Sequence, residues 1–504
     1  MFILDGFAIG LSVLSDPMLL LLLALGSLVG TLVGALPGLG PVSGCALLLP
    51  VAFAMPSPEF GMGFLCSIYL GCMFGARITA ILLNVPGDAV AVVTAFDGYP
   101  MMQQGRGGIA LGISAFSSFF GGFVSFILLA AVAQPLAIMA LHFGPPEYAA
   151  VLLFGFAAVA GFADDQYIRS LQMIVLGIFI SMVGMDLITA TPRYVYLIET
   201  FNGIEFAIIA LGIFGISEVM IGSESVPKKI ALGDAKMSLS LRSLVPSLAE
   251  LKQCLPGIFR GTAIGTGFGF LPGAGATIAS FITYSTEKSV AKDPSRFGKG
   301  AIEGIAAPEA ANNASVGGSM IPTLALGVPG TSTAAILLGA MVMFGVQTGP
   351  RVFETSGPIV WSIIVGFFIS NIMLLFCNTM MIPFFVWIVN AGQRHLKPII
   401  CAAAMIGTFA IAFGITKLYL CIIFGILGYA IRKLNYPSGP FLLGLVLFPK
   451  FEVTFRQALV MSKGDYTIFF RGPLTITFIS LSIFAFTYPL IKRRALAKKS
   501  ASAG

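Results

Sequence analysis

The sequence predicts an all-α polytopic membrane protein, with roughly 10–12 membrane helices and re-entrant or broken hairpins in two inverted-topology repeats. Three observations carry this. Of 504 residues, 57% are hydrophobic and only 10% charged, with a mean hydropathy of +0.95; soluble domains carry about 25% charged residues. Apolar runs of about 20 residues recur, each long enough for a ~30 Å hydrocarbon core. Proline–glycine interruptions recur in matched positions of the two halves. Backbone groups in lipid must be satisfied within the segment, so the runs are helices; the ~10-residue alternating segments of a barrel are not seen.

Taken in order, residues 1–16 form an amphipathic lead-in without the basic region and cleavage site of a signal peptide. Residues 17–222 form the first membrane repeat, 223–252 a cytoplasmic linker, and 253–466 the second repeat. Residues 467–491 add a C-terminal membrane helix, and 492–504 a basic cytoplasmic tail. The repeat is visible in GALPGLG (34–40) against GFLPGAG (269–275), with Leu36 and Leu271 235 positions apart. LLNVPGD (82–88) recurs as ALGVPGT (325–331) at an offset of 243, which also pairs Gly75 with Gly318 and Gln104 with Gln347. The later apolar segments correspond in order: 107–142 with 358–390, 147–163 with 398–414, 167–185 with 416–433, and 203–221 with 437–450.

Charge sets the orientation. The linker carries Lys228, Lys229, Lys236, Arg242 and Lys252, and the tail Lys492, Arg493, Arg494, Lys498 and Lys499; both are expected in the cytoplasm. Basic residues at 287–299 and at Arg394 and Lys397 face first-half segments, 54–59 and 142–147, that have no Lys or Arg. Opposite bias in equivalent loops is what inverted halves require. The net charge of +7 is therefore a topogenic signal, and nucleic acid is excluded as a partner. Seven cysteines without a CxxC pair and two histidines offer no metal cluster, so no cofactor or metal is expected beyond a coupling Na⁺.

Paired interruptions in inverted repeats point to a transporter's midplane site. Proline removes a donor and glycine admits unusual dihedrals, so the chain unwinds there. Unwound carbonyls suit a cation, and new helix N-termini suit an anion. The segment from Val42 to Ala54 is about 13 residues, too short to span, so a hairpin turning at depth is expected, with the two tips approaching each other. Expected substrate-binding residues are Leu36, Pro37, Gly38, Gly40, Pro86, Gly87, Pro272, Gly273, Gly275, Thr277, Pro329, Gly330, Thr331, Ser332 and Thr333. Asn84, Asp88, Asn312 and Asn313 are expected to bind an ion, Asn84, Asp88 and the two neighbouring asparagines alternatively capping helices. Arg77 and Glu309 are charges in or beside apolar segments; the structural reading of Arg77 pairs it with Asp88 or Asp97. Glu309 and Asn313, four positions apart, share a helical face ahead of a helix at 314–328. Asp164 and Asp165 read as a solvated loop.

The strings GALPGLGPVSG, LLNVPGDAVAVVTAFDGYPMMQQGRGG and FGKGAIEGIAAPEAANNASVGGSMIPTLALGVPG resemble the large membrane subunit of the tripartite tricarboxylate transporters, over roughly residues 15–490. The resemblance implies a bacterial inner-membrane carrier working with a small membrane subunit and a periplasmic solute-binding protein. It implies a citrate-like carboxylate substrate and uptake driven by a Na⁺ or H⁺ gradient. The absence of a GxxxxGK[ST] loop from the sequence agrees with a drive other than ATP. A homodimer is compatible with the sequence. The alternatives are an anion channel, which would show unbroken pore helices and a polar ring, and a membrane-embedded enzyme, which would show clustered acids or histidines at depth.

Overall fold

The structure is a computed structural model that describes residues 2–36, 38–162, 166–186, 188–196, 200–224, 244–273, 275–412 and 414–501. Pro37, Asp164, Asp165, Lys228, Lys229, Lys236 and Arg242 lie outside the described residues. The described residues are helical almost throughout, with one two-residue strand pair among them, Gly184–Met185 against Pro192–Arg193. Eight of the described helices are long and apolar enough to cross a membrane, and five shorter apolar helices accompany them.

The first half runs α1 (Phe2–Leu14), α2 (Pro17–Ala35), α3 (Gly40–Phe53), α4 (Pro58–Leu83), α5 (Ala91–Gln103), α6 (Gly107–Ala140), α7 (Pro145–Gly161), α8 (Tyr167–Ser181), α9 (Phe206–Ala210) and α10 (Ser217–Glu224), the last two joined by a π-helical turn at Leu211–Ile216. The second runs α11 (Leu248–Phe270), α12 (Gly275–Val290), α13 (Glu303–Leu326), α14 (Ser332–Met343), the short α15 (Val352–Thr355), α16 (Gly357–Met380), α17 (Ile382–Ala412), α18 (Ile415–Lys433) and α19 (Ser438–Met461). A last helix, α20 (Pro473–Ala501), follows.

Several boundaries differ from the sequence expectation. Ser247 accepts a bond from the Glu250 N–H, and Glu250 caps back onto Ser247, so α11 starts at Leu248, inside the expected linker, and includes Lys252. This is a capping box, which satisfies two of the helix's orphan donors. Residues 391–397, expected as a loop around Arg394 and Lys397, are helical within α17. Residues 492–501 continue α20 as helix. Helix α1 is seated on α16: a Cβ at Gly6 would overlap the Trp361 ring, and one at Gly10 would meet Val365.

Lipid supplies no hydrophobic drive between helices, so their association depends on close packing and small interfacial residues. Helix α2 lies on α4 in this way, and α11 on α13. A Cβ at Gly34 would stand 2.2 Å from the Cys72 carbonyl oxygen, and one at Gly75 2.1 Å from that of Thr31. In the second half a Cβ at Gly269 would stand 2.4 Å from the Ser315 carbonyl oxygen, and one at Gly318 2.3 Å from that of Thr266. Both central helices, α4 and α13, are buried along nearly their whole length. One large apolar core drawn from both halves surrounds them. Asp97 ties the halves together: its Oδ1 accepts the N–H groups of Gly298, Gly300 and Ala301 at 2.8–2.9 Å, and its Oδ2 accepts the Tyr284 hydroxyl.

Candidate substrate and ion site

The first interruption of each half is built the same way. Helix α2 ends where Leu36 turns extended (φ −87°, ψ 122°), and α11 ends where Leu271 does (φ −83°, ψ 120°). Gly38 and Gly40 then take φ of +90° and +47°, and Gly273 and Gly275 take +82° and +62°. A side chain would strain each of these positions, which is why glycine occupies them.

The second interruption also repeats. Helix α4 ends at Asn84 (φ 54°, ψ 31°) and α13 at Gly327 (φ 68°, ψ 25°), both left-handed. Gly87 then packs against the Gly34 carbonyl and Ala76, and Gly330 against the Gly269 carbonyl and Ser319. One hydrogen bond clamps each pair of interruptions: Gly38 N–H donates to Gly87 O, and Gly273 N–H to Gly330 O, both at 3.1 Å. Each unwound tip thus satisfies an otherwise orphaned backbone group on the break beside it.

The two breaks differ in charge. The Asp88 carboxylate, two residues before the N-cap Val90, accepts the first N–H of α5, that of Ala91 (3.0 Å); at the matching position the neutral Thr331 hydroxyl accepts the Ala334 N–H (3.1 Å) and caps α14. A negative charge already sits at the start of α5, whereas the start of α14 carries none. No acceptor is recorded among the described residues for the Ser332 and Thr333 N–H groups, which head that helix. Tyr69, from the middle of α4, places its hydroxyl 3.2 Å from Thr331 Oγ1, so the second break meets the central helix of the first half.

The structure sorts the expected residues. It joins Gly38 to Gly87, sets Gly40 against Asp88, and joins Gly273 to Gly330. Asn84 is a left-handed C-cap and is exposed. Pro272, Pro329 and Thr333 are buried, while Pro86, Thr277 and Ser332 are half-buried, with Ser332 against Gly439. Leu36 is in the core. A Cβ at Gly38 would meet Glu218, and one at Gly273 would meet Val159, so each tip is seated on a different helix.

Asn312 and Asn313 lie in the middle of α13, not ahead of a helix, so neither caps one. Asn313 donates to the Glu309 carbonyl at 3.3 Å. The side-chain oxygens of both asparagines are buried without a hydrogen-bond partner. Buried acceptors are rarely left so, and such oxygens are suited to a small hard cation.

Arg77 pairs with neither Asp88 nor Asp97. It donates to Ser118 Oγ (3.2 Å), which donates to Glu309 Oε2 (2.9 Å), and Thr94 donates to Glu309 Oε1. Its guanidinium also lies over the Phe74 ring, 4.8 Å from the centroid. A buried cation and anion are thus linked through one serine. Sequence reasoning missed Tyr69, Thr94 and Ser118, and offered Asp97 only as a partner of Arg77. Thr94 and Asp97 carried a signal, three apart on one helical turn; Tyr69 and Ser118 carried none.

Thr331→Val removes the α14 cap and the Tyr69 contact while keeping the side-chain shape. If the start of α14 receives the substrate, the apparent substrate constant should rise roughly tenfold, for about 1–1.5 kcal/mol of lost hydrogen bonding. Initial-rate uptake against substrate concentration checks it, and an unchanged constant would make Thr331 a packing residue.

A family model described as the tripartite tricarboxylate transporter TctA family matches residues 20–443. A protein of Agrobacterium vitis described as an uncharacterized 52.8 kDa protein in the TAR-I ttuC' 3' region is 36% identical over 482 residues, 95% of each chain. A second from the same organism, described as in the TAR-II ttuC' 3' region, is 38% identical over 219 residues, 44% of this chain and 90% of its own. No solved structure matches.

Proposed function

The chain belongs to the tripartite tricarboxylate transporter TctA family, and from that premise we propose that it imports a citrate-like carboxylate by alternating access coupled to a Na⁺ or H⁺ gradient. In this reading it is the large membrane subunit of a bacterial inner-membrane system. A periplasmic solute-binding protein delivers the anion, a small membrane subunit completes the complex, and the C-terminus lies in the cytoplasm. The two halves are inverted repeats, each contributing one tip and one break.

The observation that supports this most is the duplicated clamp, Gly38 to Gly87 and Gly273 to Gly330. Two unwound segments per half, held at fixed spacing, present backbone dipoles to a ligand without the flexibility of a loop. Charge then divides the labour. The α5 start, with Asp88 on it, repels an anion and suits the coupling cation, together with the unpartnered oxygens of Asn312 and Asn313. The neutral α14 start, with the Ser332 and Thr333 N–H groups, suits a substrate carboxylate.

Uptake of radiolabelled citrate into proteoliposomes holding the chain, the small subunit and the binding protein tests the reading. Accumulation that requires an imposed Na⁺ or proton gradient is expected, and the effective gradient identifies the coupling ion. Equilibration without accumulation under either gradient would replace the carrier with a channel.

A further inference from the structure

Beyond the clamped tips, the structure holds a cavity of about 800 Å³ between α7, the end of α8, α14, α19 and residues 183–185 and 202–206. That is the size of a small-molecule site. Its walls are mostly apolar, with one charged side chain, Lys450 on α19. Lys450 Nζ donates to the Thr348 carbonyl at 3.1 Å and to the Thr348 hydroxyl; no carboxylate is recorded against it among the described residues. Cations elsewhere in the bundle are neutralised: Lys417 by Glu205, Arg432 by Glu218, and Arg260 by Glu287.

The charges at the rim do not supply the missing anion. Arg193 and Arg456 engage Asp186 and Glu452, two cations with two anions, so the group is neutral by itself and, among the described residues, Lys450 leaves the cavity with one uncompensated positive charge. Neutral polar groups stand around it: Tyr148, Ser181, Asn202, Thr348 and Thr454. A single cation among several hydroxyl and amide groups, in otherwise apolar walls, is the chemistry that receives a compact oxyanion.

The cavity also adjoins the second break. A Cβ at Gly327, the left-handed residue ending α13, would lie 3.0 Å from Lys450 Nζ, and the Tyr148 hydroxyl donates to the Leu326 carbonyl. An anion held by Lys450 would therefore sit against the segment that leads into Thr331. Residues 183–186, whose Asp186 pairs with Arg456, and the C-terminal end of α19 lie at the end of the bundle away from Arg432 and Glu218. With the tail in the cytoplasm, as proposed above, that end faces the periplasm.

We propose that this cavity is an entry site for the transported carboxylate, which Lys450 holds beside the second break before it reaches the start of α14. The inference rests on the carrier reading for its direction but not for its chemistry. Lys450 is a binding residue here, distinct from one that merely caps the C-terminal end of α13.

The test reads binding without transport. Ser181→Cys places a thiol on the cavity wall of the full chain, reconstituted in zwitterionic lipid. It is labelled with anionic sulfonatoethyl or cationic trimethylammonioethyl methanethiosulfonate, the wild-type chain giving the background from native cysteines. Charge focused in a cleft raises local counter-ion concentration roughly tenfold or more, so the anionic reagent should react roughly tenfold faster than the cationic one. Lys450→Gln should abolish the difference and Lys450→Arg should keep it. Citrate should slow the anionic reagent in the Lys450 chain but not in Lys450→Gln.

Equal rates for the two reagents, or a preference that survives Lys450→Gln, would overturn the site. Protection by vesicles containing phosphatidylglycerol but by no free carboxylate would also overturn it, since the occupant would be a lipid headgroup. Size-exclusion profiles of the variants separate misfolding from lost charge. Citrate uptake measured in parallel separates the two readings: labelling as expected without uptake removes the carrier reading, and uptake without charge-selective labelling removes the entry site.

Discussion

Replacing Gly87 by alanine is expected to abolish uptake while leaving the amount of protein in the membrane unchanged, and Gly330→Ala should do the same. A Cβ at Gly87 would stand 2.0 Å from the Gly34 carbonyl oxygen, and one at Gly330 2.2 Å from that of Gly269. Neither contact can be relieved by a side-chain rotation, because both partners are backbone. The break must move away from its helix by about 1 Å, and the Gly38 or Gly273 bond to it lengthens or is lost. Misplacement on that scale can cost on the order of 100-fold in rate. Overpacking costs about 1–3 kcal/mol, which a large membrane core can absorb, so insertion survives. Gly267→Ala is the control, since it lies on α11 with no atom within 4 Å of the added Cβ. Initial uptake rates normalised to membrane content decide the matter, and near-wild-type rates in both variants would remove the clamp from the transport cycle.

The second large effect is on stability. Arg77→Met should destabilise the protein by about 3–5 kcal/mol, the usual consequence of leaving one member of a buried charge pair uncompensated. Glu309 would keep its Thr94 and Ser118 donors but lose the cation that reaches it through Ser118. Glu309→Gln should also destabilise, and Arg77→Met with Glu309→Gln should recover much of the loss, since the double variant buries no net charge. Thermal unfolding in detergent across the four proteins measures the coupling. Additive losses in the double variant would mean that the two charges act independently.

What the sequence made legible follows from residue chemistry. The tips and breaks were readable because glycine and proline have few other reasons to recur at fixed offsets, and the structure places Gly38, Gly87, Gly273 and Gly330 in matching bonds. Helix α13 was read only from residue 314, although it begins at Glu303. Its first half, EGIAAPEAANN, looks like a polar loop by hydropathy. A helix enclosed by protein instead of lipid has no need to be apolar; it needs small residues for close approach. The start of α11 was legible in S-L-A-E at 247–250 but was masked by the charge of the linker. The partners of Arg77 could not be found from spacing, because Glu309 lies 232 positions away and Ser118 is one of many membrane serines.

The different enclosure of the helices carries a consequence for the bilayer. Helix α4's apolar window is wholly buried, whereas that of α20 is 17% buried and those of α18 and α19 are 33% buried. Acyl chains therefore meet an outer ring of helices and do not reach the first break's long central helix. A change in bilayer thickness is met by tilt of lipid-facing helices, at fractions of a kcal/mol per Å of mismatch. That strain falls on α18, α19 and α20 before it reaches α4. The same protein placed in shorter- or longer-chain lipids should thus hold its clamp geometry while its perimeter reorients, with α19, which carries Lys450, as the helix that belongs to both regions.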